Sequence, residues 1–443
     1  MGNRNGSDRH RRRRSGDVRG HPSRPPCRPS SPCGRNSHSL RRQHETRQRT
    51  GTLAPRGRGW RADRRRKPRR SCAHRDRPKR AARRIVKHAY ASRLERVRAA
   101  MEGAGLGALL VTRPASVRWL SGFTSPEDAR VLVTGSDAWL LTDGRYVAQA
   151  AEESALETII ERAWHGVVAS HAGEGAVGIE ADHVTLAVAT RLGASLGREP
   201  VATEGLVTNL RRAKDEEERS AIRRAATLTD RAYADALSVL APGMREVDVA
   251  LRIERFVRRE GGDGMAFDII VASGMRSAMP HGLASGKVIE DGDLVTIDMG
   301  ARVDGYCADM TRTVGIGQVR DAHRALFDAV LEAEIAALAV VAPGAATKDV
   351  DKVARDSLER HGLAGAFSHS LGHGVGLEIH EAPALAPTSS DVLEAGMVVT
   401  IEPGAYHPGD AGVRVEDLAI VTPDGHEVLS KSPKGWHAVT VPA

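Results

Sequence analysis

The chain has 443 residues, 41% of them hydrophobic and 27% charged, with a formal net charge of +9. That length suits two domains with cores of their own. Its apolar runs all fall short of the ~18 residues a membrane span needs, and residues 1–84 hold no apolar stretch of the kind a secretory signal requires.

The charge is unevenly spread. Residues 1–88 carry 30 Lys and Arg against 5 Asp and Glu, which leaves the rest of the chain acidic, at −16. The remainder of that segment is largely Ser, Pro, Gly and His, with no apolar periodicity to bury a core, and it is expected to be a disordered extension. An over-long reading frame would explain it, with the true start at a non-Met codon such as the one read as Val86, the next methionine after Met1 being Met101; the functional rival is an arginine-rich arm for nucleic acid. Only this segment suggests nucleic acid, and the acidic body argues against it. Cys27, Cys33 and Cys72 lie in the extension, so Cys307 stands alone in the body. A lone cysteine suits a reducing, cytoplasmic setting, and this one reads as a small apolar filler, not a nucleophile.

From Ala89 the pattern turns regular. Ser92 to Gly103 predicts a helix stopped by glycine, Ala108 to Val111 a strand, Val117 to Leu120 a short helix or turn, and Arg130 to Val133 and Ala138 to Thr142 strands. Tyr146 to Ser154 and Thr185 to Leu196 predict helices, with a strand at Val177 to Ile179 between them. This alternation makes residues 89–212 a small α/β domain. A helix from Lys214 to Leu237 opens a second domain, 213–443, with Asp215, Glu216, Glu217 and Glu218 in its first turn, where acids favour the helix dipole. Further helices are expected over Met244 to Glu260, Asp321 to Val341 and Lys348 to Gly362. Two glycine-rich stretches are decoys. Gly193 to Gly197 has the letters of a serine-hydrolase elbow but ends a helix instead of following a strand. Gly103 to Gly107 runs helix to strand, the reverse of a dinucleotide loop.

The chemistry lies in the acids of the second domain. Asp298 ends the apolar run Leu294-Val295-Thr296-Ile297, Glu402 ends Met397 to Ile401, and Glu416 interrupts Val413, Val415, Leu418 and Ile420. A carboxylate on a buried strand costs several kcal/mol unless it is paired or coordinates a metal. With Asp309 these carboxylates need a shared positive charge, which two divalent cations would supply. His373 adds one imidazole to a mostly oxygen set. Such a set suits Mn²⁺ or Co²⁺, with Zn²⁺ or iron as further options.

These residues sit in motifs that resemble the pita-bread metallopeptidases, the family of methionine aminopeptidase, prolidase and Xaa-Pro aminopeptidase. The resemblance runs through Phe267 to Gly274, Pro280-His281-Gly282, Thr296-Ile297-Asp298-Met299-Gly300 and Gly305 to Thr313. It continues through His369 to Gly376, Ile379-His380-Glu381, Ile401-Glu402-Pro403-Gly404 and Val413-Arg414-Val415-Glu416-Asp417. Leu120-Ser121-Gly122-Phe123 and Thr142 to Tyr146 are similar to the creatinase-type N-terminal domain. The fold it implies is α+β: a pita-bread catalytic domain with a pseudo-twofold duplication, preceded by the smaller α/β domain. The duplication is implied by the resemblance, not by any repeat read in the sequence.

The resemblance also implies roles. Asp298 chelates one metal, His373 and Glu402 hold the other, and Asp309 and Glu416 bridge the two. His281 and His380 lie on the substrate side, His369 shapes a proline pocket, and Glu402 also moves the proton to the leaving amine. Arg414, two residues before Glu416, would orient it from the same strand face or bind a substrate carboxylate, and Tyr306 would donate a hydrogen bond near the substrate. Glu402-Pro403-Gly404 and Arg414-Val415-Glu416-Asp417 resemble the proline-directed branch. The expected activity is hydrolysis of Xaa-Pro bonds, as an aminopeptidase or dipeptidase, by a homodimer acting on small peptides. The rivals are hydrolysis of another small amide on the same scaffold and a non-enzymatic binding module.

Overall fold

A computed structural model describes residues 77–436 and 440–442, with side chains from residue 89 onward. The expected extension therefore lies outside the described residues up to 76. The first helix runs Arg77–Gly103.

The N-terminal domain is a mixed sheet flanked by helices. Its strands lie in the spatial order Glu157–Ile160, Ala138–Thr142, Arg130–Thr134, Ala108–Val111, Val177–Glu180 and Val201–Thr203. The predicted strands are its centre. The two edge strands were not read from the sequence, because they are short and mostly exposed or half-exposed, without a buried–exposed alternation. Trp119, Leu120, Phe123, Val131 and Leu140 fill one face and Leu110, Leu132, Trp164 and Leu192 the other.

The second domain opens with helix Glu216–Leu237, whose cap is Asp215. The Asp215 side chain accepts from the Glu218 amide and the Glu218 side chain accepts from the Asp215 amide, a reciprocal capping box. Helix Glu246–Arg259 follows, and a second pair, Asp321–Leu338 and Thr347–Arg360, comes after the first strands. One antiparallel set joins Ile270–Ser273, Leu294–Met299 and Met310–Ile316, with Thr440–Val441 parallel at its edge. The other joins Glu381–Leu385, Gly372–Gly374, Val398–Ile401, Asp417–Thr422 and Gly425–Val428. Helices and sheets share one core, in which Ala232, Ile253, Leu326 and Val330 are buried with Ile297, Val399 and Val415.

The duplication is visible in hydrogen bonds as well as in outline. Gly243 donates to the Ile289 carbonyl and Gly344 to the Leu393 carbonyl, each just before a helix. Ile289 to Gly300 reads IEDGDLVTIDMG and Leu393 to Gly404 reads LEAGMVVTIEPG. A repeat was thus present in the sequence after all, and it makes Asp298 the counterpart of Glu402.

Candidate active site

The strands bring all five expected donors together. Asp298 lies in strand Leu294–Met299 opposite Thr311, and Asp309 immediately precedes the partner strand Met310–Ile316. Glu402 follows strand Val398–Ile401, Glu416 precedes strand Asp417–Thr422, and His373 is the centre of Gly372–Gly374. Oxygen atoms of Asp298, Asp309 and Glu416 lie within 4.8 Å of one another. His373 Nε2 is 3.3 Å from Glu402 Oε1 and 3.6 Å from Asp309 Oδ2. Asp309 therefore faces both groups of donors. Gly372 and Gly374 flank His373 because a methyl group at either would run into the backbone oxygen of Thr400 or Ala382.

A cation fits this arrangement on two observations. Asp298 Oδ1 and Glu416 Oε1 are buried with no hydrogen-bond partner among the described residues, although the other oxygen of each is held. Such orphaned acceptors are costly unless a cation or donor meets them. The second observation is electrostatic. Burial, then the charges of Glu416, Asp298 and Glu402, holds Asp309 well above the usual carboxylate range. Burial and then Glu402 and Asp298 do the same to Glu416. Burial, opposed by Arg414 and reinforced by Asp298, pushes Glu402 up to about 8. The carboxylates ionise together only if positive charge joins them. His373 is ready for that role: burial lowers it to about 4, so it is neutral, and Nδ1 donates to the Gly374 carbonyl at 3.0 Å, leaving Nε2 with a lone pair facing the carboxylates.

A second layer of polar side chains aims these donors. Arg414, 3% exposed, donates to Asp298 Oδ2 at 2.6 Å, to Thr311 Oγ1 at 3.0 Å, to the Tyr406 hydroxyl at 2.9 Å and to the Pro280 carbonyl at 3.1 Å. The expectation that Arg414 orients Glu416 across one strand face is corrected, because strand Gly412–Arg414 stops at Arg414. Its link to Glu416 is indirect, through Thr311, whose hydroxyl donates to Glu416 Oε2 at 2.7 Å. Thr400 Oγ1 accepts from the His373 amide at 3.1 Å and donates to Glu402 Oε1 at 3.2 Å. Thr311, Thr400 and Tyr406 were missed from sequence. A hydroxyl inside a buried apolar run, as at Thr400, was the available signal.

The donors open into a cavity of about 470 Å³ lined also by Phe267, Ile270, His281, His369 and His380. His281 and His380 are exposed at its wall, and the His380 ring stands edge-on to His373 with centroids 4.3 Å apart. His369 Nε2 lies 2.9 Å from the Tyr406 hydroxyl and its Nδ1 2.8 Å from the Ser370 carbonyl. Tyr306 is absent from this cavity. Its strand, Tyr306–Cys307, pairs with Ala301–Val303 in a separate small sheet, and its hydroxyl donates to Glu218 Oε1 at 3.1 Å beside the Trp119 indole, which donates to the same oxygen. Its expected place near the substrate is corrected to the contact between the two domains. Cys307 is buried and pushed up to about 12 by burial, as befits a filler.

This fold and donor set are those of a metal-dependent hydrolase, and comparison with known proteins specifies the family. Residues 220–423 match Metallopeptidase family M24 and residues 93–213 match the Creatinase/Prolidase N-terminal domain. An Xaa-Pro dipeptidase of Pyrococcus furiosus is 35% identical over 342 residues, which span 77% of this chain and 98% of that one. The solved Xaa-Pro dipeptidase of Bacillus anthracis superposes with a TM-score of 0.76 at 40% identity, covering 80% of this chain and 100% of that one. The X-Pro aminopeptidase of Thermotoga maritima superposes with a TM-score of 0.72 at 35% identity, over 76% and 98% of the two chains. The chain belongs to metallopeptidase family M24, with a pita-bread catalytic domain behind a creatinase/prolidase N-terminal domain. No helix among the described residues is long and apolar enough to cross a membrane.

Proposed function

We propose that this protein hydrolyses the Xaa-Pro bond of small peptides, as an Xaa-Pro dipeptidase, using two divalent metal ions held by Asp298, Asp309, His373, Glu402 and Glu416. The observation that carries the reading is one cavity joining those five donors to His281, His369 and His380. The dipeptidase form is supported by relatives so named at 34–40% identity. The oxygen-rich donor set favours Mn²⁺ or Co²⁺ over Zn²⁺. Bound there, the ions supply a nucleophile at neutral pH and Lewis acidity at the scissile carbonyl.

The chain's own residues do the rest. His380, exposed at the cavity wall beside His373, donates to the developing oxyanion, a contact typically worth about 10²–10³ in turnover. Glu402 takes the proton of the attacking water and returns it to the leaving nitrogen of proline. That nitrogen belongs to a tertiary amide with no N–H, so the site selects by shape, with His281 and His369 as pocket walls, and must supply a proton. A cytoplasmic location is supported by the free, buried Cys307. For a homodimer, exposed Met275, Met279 and Leu283, the last lining the cavity, offer apolar surface for a second copy to cover.

The test is a comparison of kcat/KM for Ala-Pro, Ala-Pro-Ala and Met-Ala at equal loading with Mn²⁺ or Co²⁺. Preference for Ala-Pro is expected. Preference for the tripeptide makes the protein an aminopeptidase, preference for Met-Ala moves it to the methionine-directed branch, and cleavage of none by loaded enzyme points to another small amide.

A further inference from the structure

The segment joining the two domains ends in two buried cations that grip the residue next to His380. Helix Leu206–Leu210 stops at Arg211, whose side chain is 2% exposed. Its guanidinium donates to the Glu381 carboxylate, to Glu378 Oε2 at 3.0 Å and to Ser116 Oγ of the N-terminal domain at 3.3 Å. Lys214 Nζ, equally buried, stands 3.3 Å from Glu381 Oε2. The Glu381 carboxylate also accepts from the Glu378 amide at 3.1 Å, and the chain wraps so closely that a Cβ at Gly376 would lie 2.6 Å from both of its oxygens. Arg113 of the N-terminal domain extends the cluster, 3.2 Å from Glu378 and 2.6 Å from Asp182. Leu377, in the same loop, packs against the N-terminal core.

Residues 376–381 are thus tied at three places to the N-terminal domain and its linker, and His380 is the last loop residue before strand Glu381–Leu385. No side-chain hydrogen bond of His380 occurs among the described residues, and its aromatic partner there is His373. The direction of His380 therefore depends on where Glu381 is held. A buried ion cluster is an expensive way to hold two domains together, since apolar packing of similar volume is often as stable. It does fix a backbone position closely, and misplacing a catalytic group by about 1 Å can cost about 10²-fold in rate.

We propose that Arg211 and Lys214 are positioning residues for catalysis, acting through Glu381 to aim His380 at the scissile carbonyl, so that contacts with the N-terminal domain and its linker set turnover. This rests on the role given to His380 above. The structural alternative is an interdomain staple without catalytic effect.

A double-mutant cycle separates the two, on the full chain loaded with Mn²⁺ and with Ala-Pro as substrate. Glu381→Gln keeps the shape and removes the charge. It is expected to lower kcat about 10-fold or more while KM and bound metal change less than about 2-fold. In a His380→Ala background the same change should cost less than about 2-fold, because its target is gone. Equal effects in both backgrounds, or an unchanged kcat, would overturn the proposal. Should Glu381→Gln not fold, Arg113→Gln at the more exposed pair runs the same cycle, with a loss of about 3-fold expected only when His380 is present. Wild-type enzyme inactive on Ala-Pro sinks the assigned activity instead, whereas active enzyme with an additive cycle sinks the positioning role alone.

Discussion

Arg414 holds Asp298 by one oxygen and leaves the other free: Nη2 donates to Oδ2 at 2.6 Å, while Oδ1 is buried without a partner among the described residues. Thr311 treats Glu416 the same way, donating to Oε2 at 2.7 Å and leaving Oε1 bare. Both carboxylates are locked in rotamer by the chain and keep one acceptor pointing at the common centre. Arg414 and Thr311 are themselves bonded, so the aim of two donors is set as a unit.

Arg414→Lys is expected to weaken metal binding by about 10–100-fold while the protein still folds. Lysine supplies positive charge but only one donor position, so it cannot reach Asp298, Thr311, Tyr406 and the Pro280 carbonyl together. Metal titration by calorimetry checks this. Wild-type affinity would mean that charge alone, not the planar fork, fixes Asp298.

Asp309→Asn and Glu416→Gln should each remove bound metal and activity together. Each side chain is buried among carboxylates, so an amide keeps the volume but loses the charge that pays for the cation. Elemental analysis beside activity decides it, and a variant retaining both metals and turnover would break the assignment of the site.

Much of this site was legible because its donors break a rule that apolar strands otherwise obey. Asp298 and Glu402 end runs that have no other reason to carry a charge, and the repeated stretch Ile289 to Gly300 and Leu393 to Gly404 puts them at matching positions. Tyr306 shows where proximity in sequence misleads. It lies three residues from Asp309, but a turn through Asp304, whose φ is +51°, folds it back onto Ala301–Val303 and away from the ligands. Tyr406 was illegible for the converse reason: it reaches Arg414 by pairing of strand Gly404–Tyr406 with Gly412–Arg414, a register no local pattern announces. The edge strands of the N-terminal domain are held by ladder bonds more than by burial, so they leave no alternation to read.

Tyr306→Phe tests its corrected place. The change removes one of three donors to the buried Glu218 carboxylate, the others being the Trp119 indole and the Asp215 amide, while Arg93 stays 3.7 Å away. A hydrogen bond to a charged group contributes about 1.5–3 kcal/mol, so chemical denaturation should show a loss of that order. Activity per metal-loaded, folded molecule should be unchanged. A rise in KM with stability intact would return Tyr306 to the substrate.

His369 gives a pH signature to stability. Burial, opposed by its bond to the Ser370 carbonyl and reinforced by the Arg414 guanidinium, lowers it to about 4 from an ordinary 6.5. The folded state thus resists a proton that the unfolded chain accepts. As pH falls below 6.5 the unfolded state gains that proton first, so this contribution to stability is whole above 6.5 and is lost progressively down to about 4. The full loss is no more than about 3 kcal/mol, and between pH 7 and pH 5 it is about 2 kcal/mol. His369→Gln keeps a polar partner for Tyr406 but cannot titrate. Denaturant unfolding of the metal-free proteins at both pH values should therefore show wild type losing about 2 kcal/mol more than the variant on acidification. Parallel losses in the two proteins would mean that His369 takes up its proton as readily folded as unfolded, and that the wall it forms with Tyr406 is wetter than its burial implies.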